Sequence, residues 1–343
     1  MTFTKNYFYT IGSILLTGYF IVISSGLFNP LLAAFIVALA LRPFATRIET
    51  LRIPRLGSTL LSIMLFMLIF LGVAIFFSSQ VKNLDFEVQS FKVKFNGLPG
   101  NIQDWITELL GISSEKQISL LQETFNTLLK NSVSFVNHTL YFTTSFLTSF
   151  VIFTLSLFFF LYYRSFLVTF LYKTVNLTYH SKLTKILFKI QSVVNSYMLG
   201  LSLIILIVAV LNTIGLIALG IDNAVLFGVM AAVLTLIPFI GIFLGALLPA
   251  LFALFTKDSL WYPFGVLLLF MLIQFLEGNF LTPNIVGRQV SINPFAAILA
   301  LIIGAKLLGL IGIMFALPVL AILKVICDDI VPLKPMGYLI GKP

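Results

Sequence analysis

A polar stretch, QFLEGNFLTPNIVGRQVSINP from Gln274 to Pro294, stands in the otherwise apolar C-terminal half of this sequence. Gln274 and Glu277 are three residues apart, which places them side by side on one face of a helix. An ionised carboxylate at membrane depth costs several kcal/mol, so it is expected to face protein or water and to have a partner or a proton. We therefore predict that Glu277 is a site of ion or proton coupling. The alternative is a structural carboxylate near the membrane interface, paired with Arg288 or Lys306.

The uncharged polar residues of this stretch have two interpretations. Asn279 offers hydrogen-bond donors and acceptors, and we assign it with Pro283 to the same pathway. Asn284 also lies beside Pro283, and asparagine next to proline is equally typical of a plain turn.

Helix-breaking residues occur in a second apolar stretch, TLIPFIGIFLGALLPALFAL, which contains no charge but holds Pro238, Gly241, Gly245 and Pro249. A proline inside a helix costs about 3 kcal/mol in water, and in lipid the freed carbonyl needs another partner. One helix through 224–256 would have 33 residues. Its length of about 50 Å exceeds the ~30 Å hydrocarbon core, yet the segment is too short for two full crossings.

The segment 295–326 presents the same difficulty, because its 32 residues are interrupted at Gly309, Gly312 and Pro318. For both segments a single bent crossing and a re-entrant hairpin remain open, and we favour hairpins because the break in 224–256 falls near its middle. Irregular backbone in a membrane is tolerated only where protein or a water-filled cavity covers it. The two segments therefore predict a transport pathway, with kinks that only help helices to pack as the simpler alternative.

The composition places the chain in the membrane class. Hydrophobic residues make up 59% and charged residues 10% of its 343 residues, which excludes an ordinary soluble domain. We predict an all-α polytopic membrane protein, since apolar segments near the ~20 residues of a helical crossing recur along the chain. The eight segments are 7–23, 27–41, 59–79, 142–163, 199–219, 224–256, 260–281 and 295–326.

Catalytic chemistry has little support in the sequence. The two histidines, His138 and His180, lie in separate polar segments, and the chain has no Ser, His and Asp grouping, metal-ligand cluster or GxxxxGK[ST] phosphate loop. Cys327 is the single cysteine, so no intrachain disulfide can form. We expect no enzyme activity and no cofactor, and any transport would be secondary or passive.

The distribution of basic residues predicts the topology. These residues flank apolar runs rather than form one patch, which argues against nucleic acid despite a net charge of +9. Four basic residues against one acid over 42–55, and five against none over 164–189, place both loops in the cytoplasm. Five basic and six acidic residues over 82–130 suit the opposite side. Both termini are therefore predicted to be cytoplasmic.

These patterns divide the chain into five parts. They are N-terminal transmembrane helices (1–79), a small extracytoplasmic helical subdomain (80–140), a fourth transmembrane helix with a cytoplasmic amphipathic helix (141–198), a C-terminal transport core with broken helices (199–326) and a cytoplasmic tail (327–343). In the amphipathic helix, Lys182, Lys185 and Lys189 share the polar face. We predict that this helix lies in the membrane interface with its lysines on anionic headgroups.

The run IPFIGIFLGALLPALFAL, followed by QFLEGNFLTPNIVGRQVSINPFAAILALIIGAKLLGLIGIMFALPVLAILK, resembles the AI-2E family of bacterial inner-membrane transporters, also called the PerM family. The resemblance implies eight hydrophobic segments with a large extracytoplasmic insertion before the fourth. It also implies a homo-oligomer, with a pentamer among its forms, and export of small solutes. Members have been linked to autoinducer-2 and to exchange of sodium or lithium for protons, so the family does not fix the substrate.

The family's characteristic positions fall on residues already singled out. They are Pro238, Gly241, Gly245 and Pro249 in the first run and Gln274, Glu277, Asn279 and Pro283 in the second. Where the family usually has a histidine before a proline, this chain has Asn293, which removes a titrating group from that place.

Three functions remain open at this point. The leading hypothesis is a secondary transporter that exports a small polar solute, with Glu277 beside its path. The second is an Na⁺(Li⁺)/H⁺ antiporter. The third is a non-transporting membrane scaffold whose outer subdomain binds an envelope partner. The expected partners are a small solute, H⁺ or Na⁺, membrane lipid and further copies of the chain.

Overall fold

The computed structural model describes residues 16–82, 146–285 and 292–342, apart from the single positions 17, 21 and 239. Within these ranges the regular elements are helices joined by short turns. The predicted first segment, 7–23, and the extracytoplasmic subdomain, 80–140, lie largely outside the described residues. Wherever the structure describes the chain, the prediction of an all-α fold is confirmed.

The helices run in a simple chain order. They are α1 (Ser25–Thr50), α2 (Arg55–Lys82), α3 (Phe146–Tyr162), α4 (Arg164–Thr174), α5 (His180–Ala218), α6 (Ala224–Leu234), α7 (Ile240–Thr256), α8 (Trp261–Leu276), α9 (Thr282–Ile285), α10 (Pro294–Asp329) and α11 (Lys334–Ile340). A π-helical segment, Glu277–Leu281, joins α8 to α9. Short 3₁₀ turns precede α5 and α11.

By length and composition alone, five helical stretches in the described part of the chain could cross a bilayer, although the last of them reverses direction at Gly309. They cover 25–50, 55–80, 177–218, 261–285 and 294–329. Helices α3 and α4 pass the same test only as a pair and bend by 67° between them, so they form a sixth candidate. The chain is thus a multi-pass helical membrane protein.

The segment 224–256, which we call the first hairpin, folds back on itself. A Cβ added at Gly245 of α7 would lie 2.9 Å from the Cβ of Ala231 on α6. Farther from the turn, the rings of Phe227 and Phe252 have centroids 4.9 Å apart. These contacts pair residues at increasing distance from the turn, so α6 and α7 are antiparallel.

The base of the first hairpin is closed by an ion pair. Asp222 and Lys257, which flank the two arms, lie 2.9 Å apart. The arms have 11 and 17 residues. They therefore measure about 17 and 26 Å, and both are shorter than a hydrocarbon core of about 30 Å.

Helix α10 reverses direction at Gly309, so it forms a second hairpin (residues 294–329). Gly309 has φ 60° and ψ −136°, a conformation that glycine alone adopts without strain. Gly304 and Gly312 are in direct contact, since a Cβ added to either would meet the carbonyl of the other. In a straight helix, residues eight apart would be separated by about 12 Å along the axis.

The open ends of the second hairpin meet at the C-terminal tail. Asn293 caps the first turn of α10, and its side-chain amide donates to the carbonyls of Leu339 (2.6 Å) and Gly341 (2.9 Å). Near the end of the second arm, Gly337 of α11 lies against Asp328. Asn293 is therefore a structural link between hairpin and tail.

Side-chain contacts join the basic loops at one end of the bundle. The contacts are Arg42 to Gln191 (3.1 Å), Arg164 to Glu49, Arg55 to Ser165 (2.7 Å) and Lys189 to Asp329 (2.8 Å). We call this the basic end. The basic end contains the regions near 42–57 and 164–198 together with the base of the second hairpin. The charge pattern predicts that these regions lie on one side of the membrane. Because α5 carries the chain away from this end, the base of the first hairpin lies at the opposite end.

The predicted interfacial helix over 182–198 does not fold as a separate element. It is the first half of α5, a single helix of 39 residues that is about 58 Å long. Val194, Tyr197 and Ile204 are buried on both sides of the expected boundary, so tertiary contacts hold the helix straight through it. Lys189 pairs with Asp329, and contact of the lysines with lipid headgroups stays a prediction. The helix that bends away from a span is α4, whose Phe166 is exposed.

Cysteine labelling tests the arrangement of the two hairpins in the membrane. In a Cys327→Ala background, Ser259→Cys should react with a membrane-impermeant reagent from outside intact cells, and a cysteine at 288 should react only after permeabilisation. A cysteine at Tyr338, which is 80% exposed, gives the inside reference in either arrangement. The reverse pattern at 259 and 288 would support two single bent crossings.

Candidate functional site

Glu277 lies where the long helix through the C-terminal half changes its geometry. The five residues Glu277–Leu281 form a π-helical segment, a rare feature that is frequent at functional sites. Gln274 Nε2 donates to Glu277 Oε2 (2.5 Å), and Thr282 Oγ1 donates to Oε1 (2.7 Å). Both carboxylate oxygens are therefore held in place, as the three-residue spacing of Gln274 and Glu277 predicts.

A small cavity lies between Glu277 and the first hairpin. Its volume is about 20 Å³, which is room for about one water molecule. Helices α5, α6, α7 and α8 contribute to its wall. The lining residues are Val208, Asn212, Ala231, Thr235, Gly241, Ile242, Gly245, Phe270, Ile273, Gln274 and Glu277.

Asn212 is one of the four polar side chains that line this cavity. It is 2% exposed near the C-terminal end of α5, and its Oδ1 accepts no hydrogen bond from the described residues. A buried polar atom without a partner costs roughly 1–3 kcal/mol. With Glu277, it gives the cavity oxygen acceptors that suit a water molecule, a proton carrier or a small cation.

The tip of the first hairpin closes the cavity on one side. Gly241 contributes no side chain there, and a Cβ at this position would collide with the Leu234 carbonyl. Thr235 donates its hydroxyl to the Ala232 carbonyl (2.6 Å). The C-terminal end of α6 and the N-terminal end of α7 meet at the tip, so helix dipole ends of opposite sign face the same region.

The structure brings four of the predicted pathway residues together. Gly241, Gly245, Gln274 and Glu277 line the one small cavity. Pro238 lies in the turn at the tip, and Pro249 is buried in α7.

Other predicted residues lie elsewhere. Asn279 is exposed and donates to the Phe275 carbonyl (2.9 Å) on its own helix, and Pro283 is exposed in α9. Gly309, Gly312 and Pro318 belong to the second hairpin and do not line this cavity.

The second hairpin approaches the same part of the bundle through an apolar cluster. Its Leu317 packs against a buried cluster that includes Ile204 and Val208 of α5. Ala232 of the first hairpin and Ile273 of α8 belong to the same cluster. The bases of the two hairpins thus lie at opposite ends of the bundle, and both hairpins contribute to the same apolar cluster.

The sequence offered Arg288 and Lys306 as alternative ion-pair partners of Glu277. Within the described residues Glu277 forms no ion pair, and Lys306 has an exposed side chain. Position 288 lies outside the described residues. No group of three or more His, Cys, Asp or Glu side chains that could hold a metal occurs in the described ranges.

Sequence reasoning missed Asn212 and Thr235. Asn212 stands in the run GLSLIILIVAVLNTIGLIALG, where it is the only amide. A polar residue in the middle of a span is a functional candidate by default, so the signal was present. Which face of the helix meets the cavity could not be read from the sequence.

Comparisons with known proteins agree with the sequence motifs. The family model described as AI-2E family transporter matches residues 11–331, which confirms the resemblance. YueF of Bacillus subtilis, which its name describes only as a transport protein, is 26% identical over 92% of this chain and 87% of its own length. YrrI of the same organism is 36% identical over 38% of this chain and 36% of its own length. The Escherichia coli AI-2 transport protein TqsA is 30% identical over 33% of this chain and 32% of its own length.

Proposed function

The chain belongs to the AI-2E family of transporters, and on that premise we propose that it is a secondary transporter that exports a small polar solute across the bacterial inner membrane. The observation that carries this proposal is the pair of opposed helical hairpins that pack with α5 in one cluster, with a partly buried carboxylate beside the tip of the first. Broken helices near the bilayer midplane are the usual place for substrate and coupling ions in secondary transporters.

The hairpins are proposed to be re-entrant. The arms of the first hairpin are too short to cross the membrane. The bases of the two hairpins lie at opposite ends of the bundle. In this arrangement the first hairpin enters from the extracytoplasmic side and the second from the cytoplasm. Both termini are then cytoplasmic, which agrees with the positive-inside rule.

Glu277 is proposed as the coupling residue. Its carboxylate lines the cavity with the unpaired Asn212 Oδ1, so a proton or a small cation can exchange there with a water molecule. The cavity holds about 20 Å³, which excludes an organic solute from this conformation. The solute must therefore pass when the hairpins move apart, and Glu277 would link that motion to the proton gradient.

Autoinducer-2 is the first solute to test, because TqsA is named for its transport. The proposed assembly is a homo-oligomer, with a pentamer among the candidates.

Reconstituted vesicles test the proposal. Purified protein in proteoliposomes should move autoinducer-2, or another small polar solute from a screen, faster when a proton gradient is imposed than without one. The control is the Glu277→Gln variant in the same lipid, because its solute flux should no longer respond to the proton gradient.

Two other outcomes would replace the proposal. Proton movement on addition of sodium or lithium alone, with no solute flux, would identify an antiporter. No flux of any solute or ion from correctly inserted protein would leave the scaffold hypothesis.

A further inference from the structure

Two larger cavities at the basic end of the bundle share Arg42 in their walls. One has a volume of about 300 Å³ and the other about 400 Å³, and Arg42, Val168 and Leu187 line both. These volumes are within the range of pockets that bind small organic molecules, unlike the 20 Å³ beside Glu277. We call the two cavities together the Arg42 pocket.

The two halves of the Arg42 pocket differ in chemistry. The smaller half contains Arg42 and Arg164 among apolar residues. The apolar lining of this half comes from α1, α3, α4, α5 and α10, with Leu39, Phe160, Leu171, Ile190 and Ile322 among its members. The larger half adds the polar side chains of Thr46, Tyr172, Thr184 and Gln191. Arg42 therefore stands between an apolar and a polar compartment.

The charges around this pocket do not balance. Glu49 pairs with Arg164 and also accepts from Ser58, whereas Arg42 donates to the neutral side chain of Gln191 (3.1 Å). Among the described residues no carboxylate contacts Arg42. A guanidinium beside an apolar cavity is costly without a counter-charge, so the site favours an anion.

Arg164 adds a buried donor without a hydrogen-bond partner among the described residues. Its Nη1 is buried and has no hydrogen-bond partner among the described residues, while its Nη2 binds Glu49. The pocket therefore offers more hydrogen-bond donors than the described protein groups satisfy. Guanidinium groups match phosphate oxygens well, because their N–H groups form a planar fork.

We propose that the Arg42 pocket binds an anionic phospholipid, with its phosphate on Arg42, its headgroup in the polar half and an acyl chain in the apolar half. A free phosphate would leave the apolar half without an occupant, and a lipid fills both. The pocket's position among basic helix ends also suits a lipid, since basic pockets between transmembrane helices on the cytoplasmic side bind anionic headgroups. This site is separate from the Glu277 cavity and does not depend on the transported solute.

Lipid binding to the purified full-length protein tests the proposal. Native mass spectrometry with equal amounts of phosphatidylglycerol and phosphatidylcholine should find phosphatidylglycerol retained. Arg42→Gln should weaken phosphatidylglycerol binding by about tenfold, since it removes a charge-assisted bond to phosphate. Arg47→Gln is the matched control, because Arg47 is exposed on the same helix and lines neither cavity.

A second variant keeps the test decisive if Arg42→Gln fails to fold. Val168→Trp places a bulky side chain in the wall that both halves of the pocket share without changing charge, so it should also weaken phosphatidylglycerol binding. Unchanged binding in either folded variant, or equal retention of phosphatidylcholine, would overturn the proposal. Competition by glycerol 1-phosphate as strong as that by the whole lipid would identify a soluble-anion site and would also overturn it.

Discussion

Replacing Glu277 by glutamine should abolish the dependence of solute flux on the proton gradient and leave the protein folded. Glutamine keeps the size of the side chain, and its carbonyl can still accept from Thr282. Gln274 can turn its amide to present oxygen, so the second hydrogen bond is kept. The change in the free energy of unfolding should stay below about 1 kcal/mol. Gradient-driven and gradient-free flux in proteoliposomes give the measurement.

The matched control for this variant is Asn279→Ala in the same π-helical segment. Asn279 is exposed and bonds only to the carbonyl of Phe275, so its loss should leave gradient dependence intact. If Glu277 instead forms a buried structural pair, removing it should destabilise the protein by roughly 3–5 kcal/mol and impair assembly. A folded Glu277→Gln variant with unchanged gradient dependence would contradict both roles.

Asn212→Leu probes the other side of the cavity with the same assay. Leucine has nearly the shape of asparagine and removes a buried oxygen that has no described partner. A structural role for Asn212 would be unusual, because an unsatisfied acceptor costs stability. We expect the variant to be at least as stable as the parent in detergent and to lose gradient-driven flux, as is typical when a polar group is kept for function.

The length argument could be made from the sequence because it needs only helix geometry. Segments of 33 and 32 residues fit neither one nor two crossings, and both fold as hairpins. The spacing of Gln274 and Glu277 likewise fixed their contact, since residues three apart meet on any helix. The excess of basic over acidic residues predicted that the loops near 42–55 and 164–189 lie on the same side of the membrane, and the structure joins them at the basic end.

What the sequence could not supply depends on contacts between distant elements. Asn212 lines the cavity because the face of α5 that carries residues 208 and 212 is directed toward the first hairpin. No local sequence pattern encodes that orientation. Lysines at helical spacing suggested an interfacial helix, but packing around Val194 and Tyr197 extended α5 through that region. Asn279 was assigned to the pathway by proximity in sequence, and the π-helical segment leaves its side chain exposed.

Replacing Gly312 by alanine should destabilise the second hairpin more than any surface substitution. The added Cβ would meet the Gly304 carbonyl, which is backbone and cannot turn aside. Overpacking of this kind costs typically 1–3 kcal/mol and sometimes more. The expected result is a lower midpoint of thermal unfolding in detergent and a loss of the folded peak in size-exclusion chromatography.

Two further alanine variants separate the causes of that effect. Gly309→Ala meets no atom within 4 Å, so any loss of stability there comes from its φ of 60° and should amount to about 1–3 kcal/mol. Gly72→Ala in α2 has neither a clash nor an unusual φ, and alanine should stabilise that helix by roughly 0.5–1 kcal/mol. If Gly312→Ala behaved like Gly72→Ala, the two arms of α10 could not be in contact. The interpretation of α10 as a hairpin would then be wrong. The proposed transport pathway, which depends on two opposed hairpins, would be wrong with it.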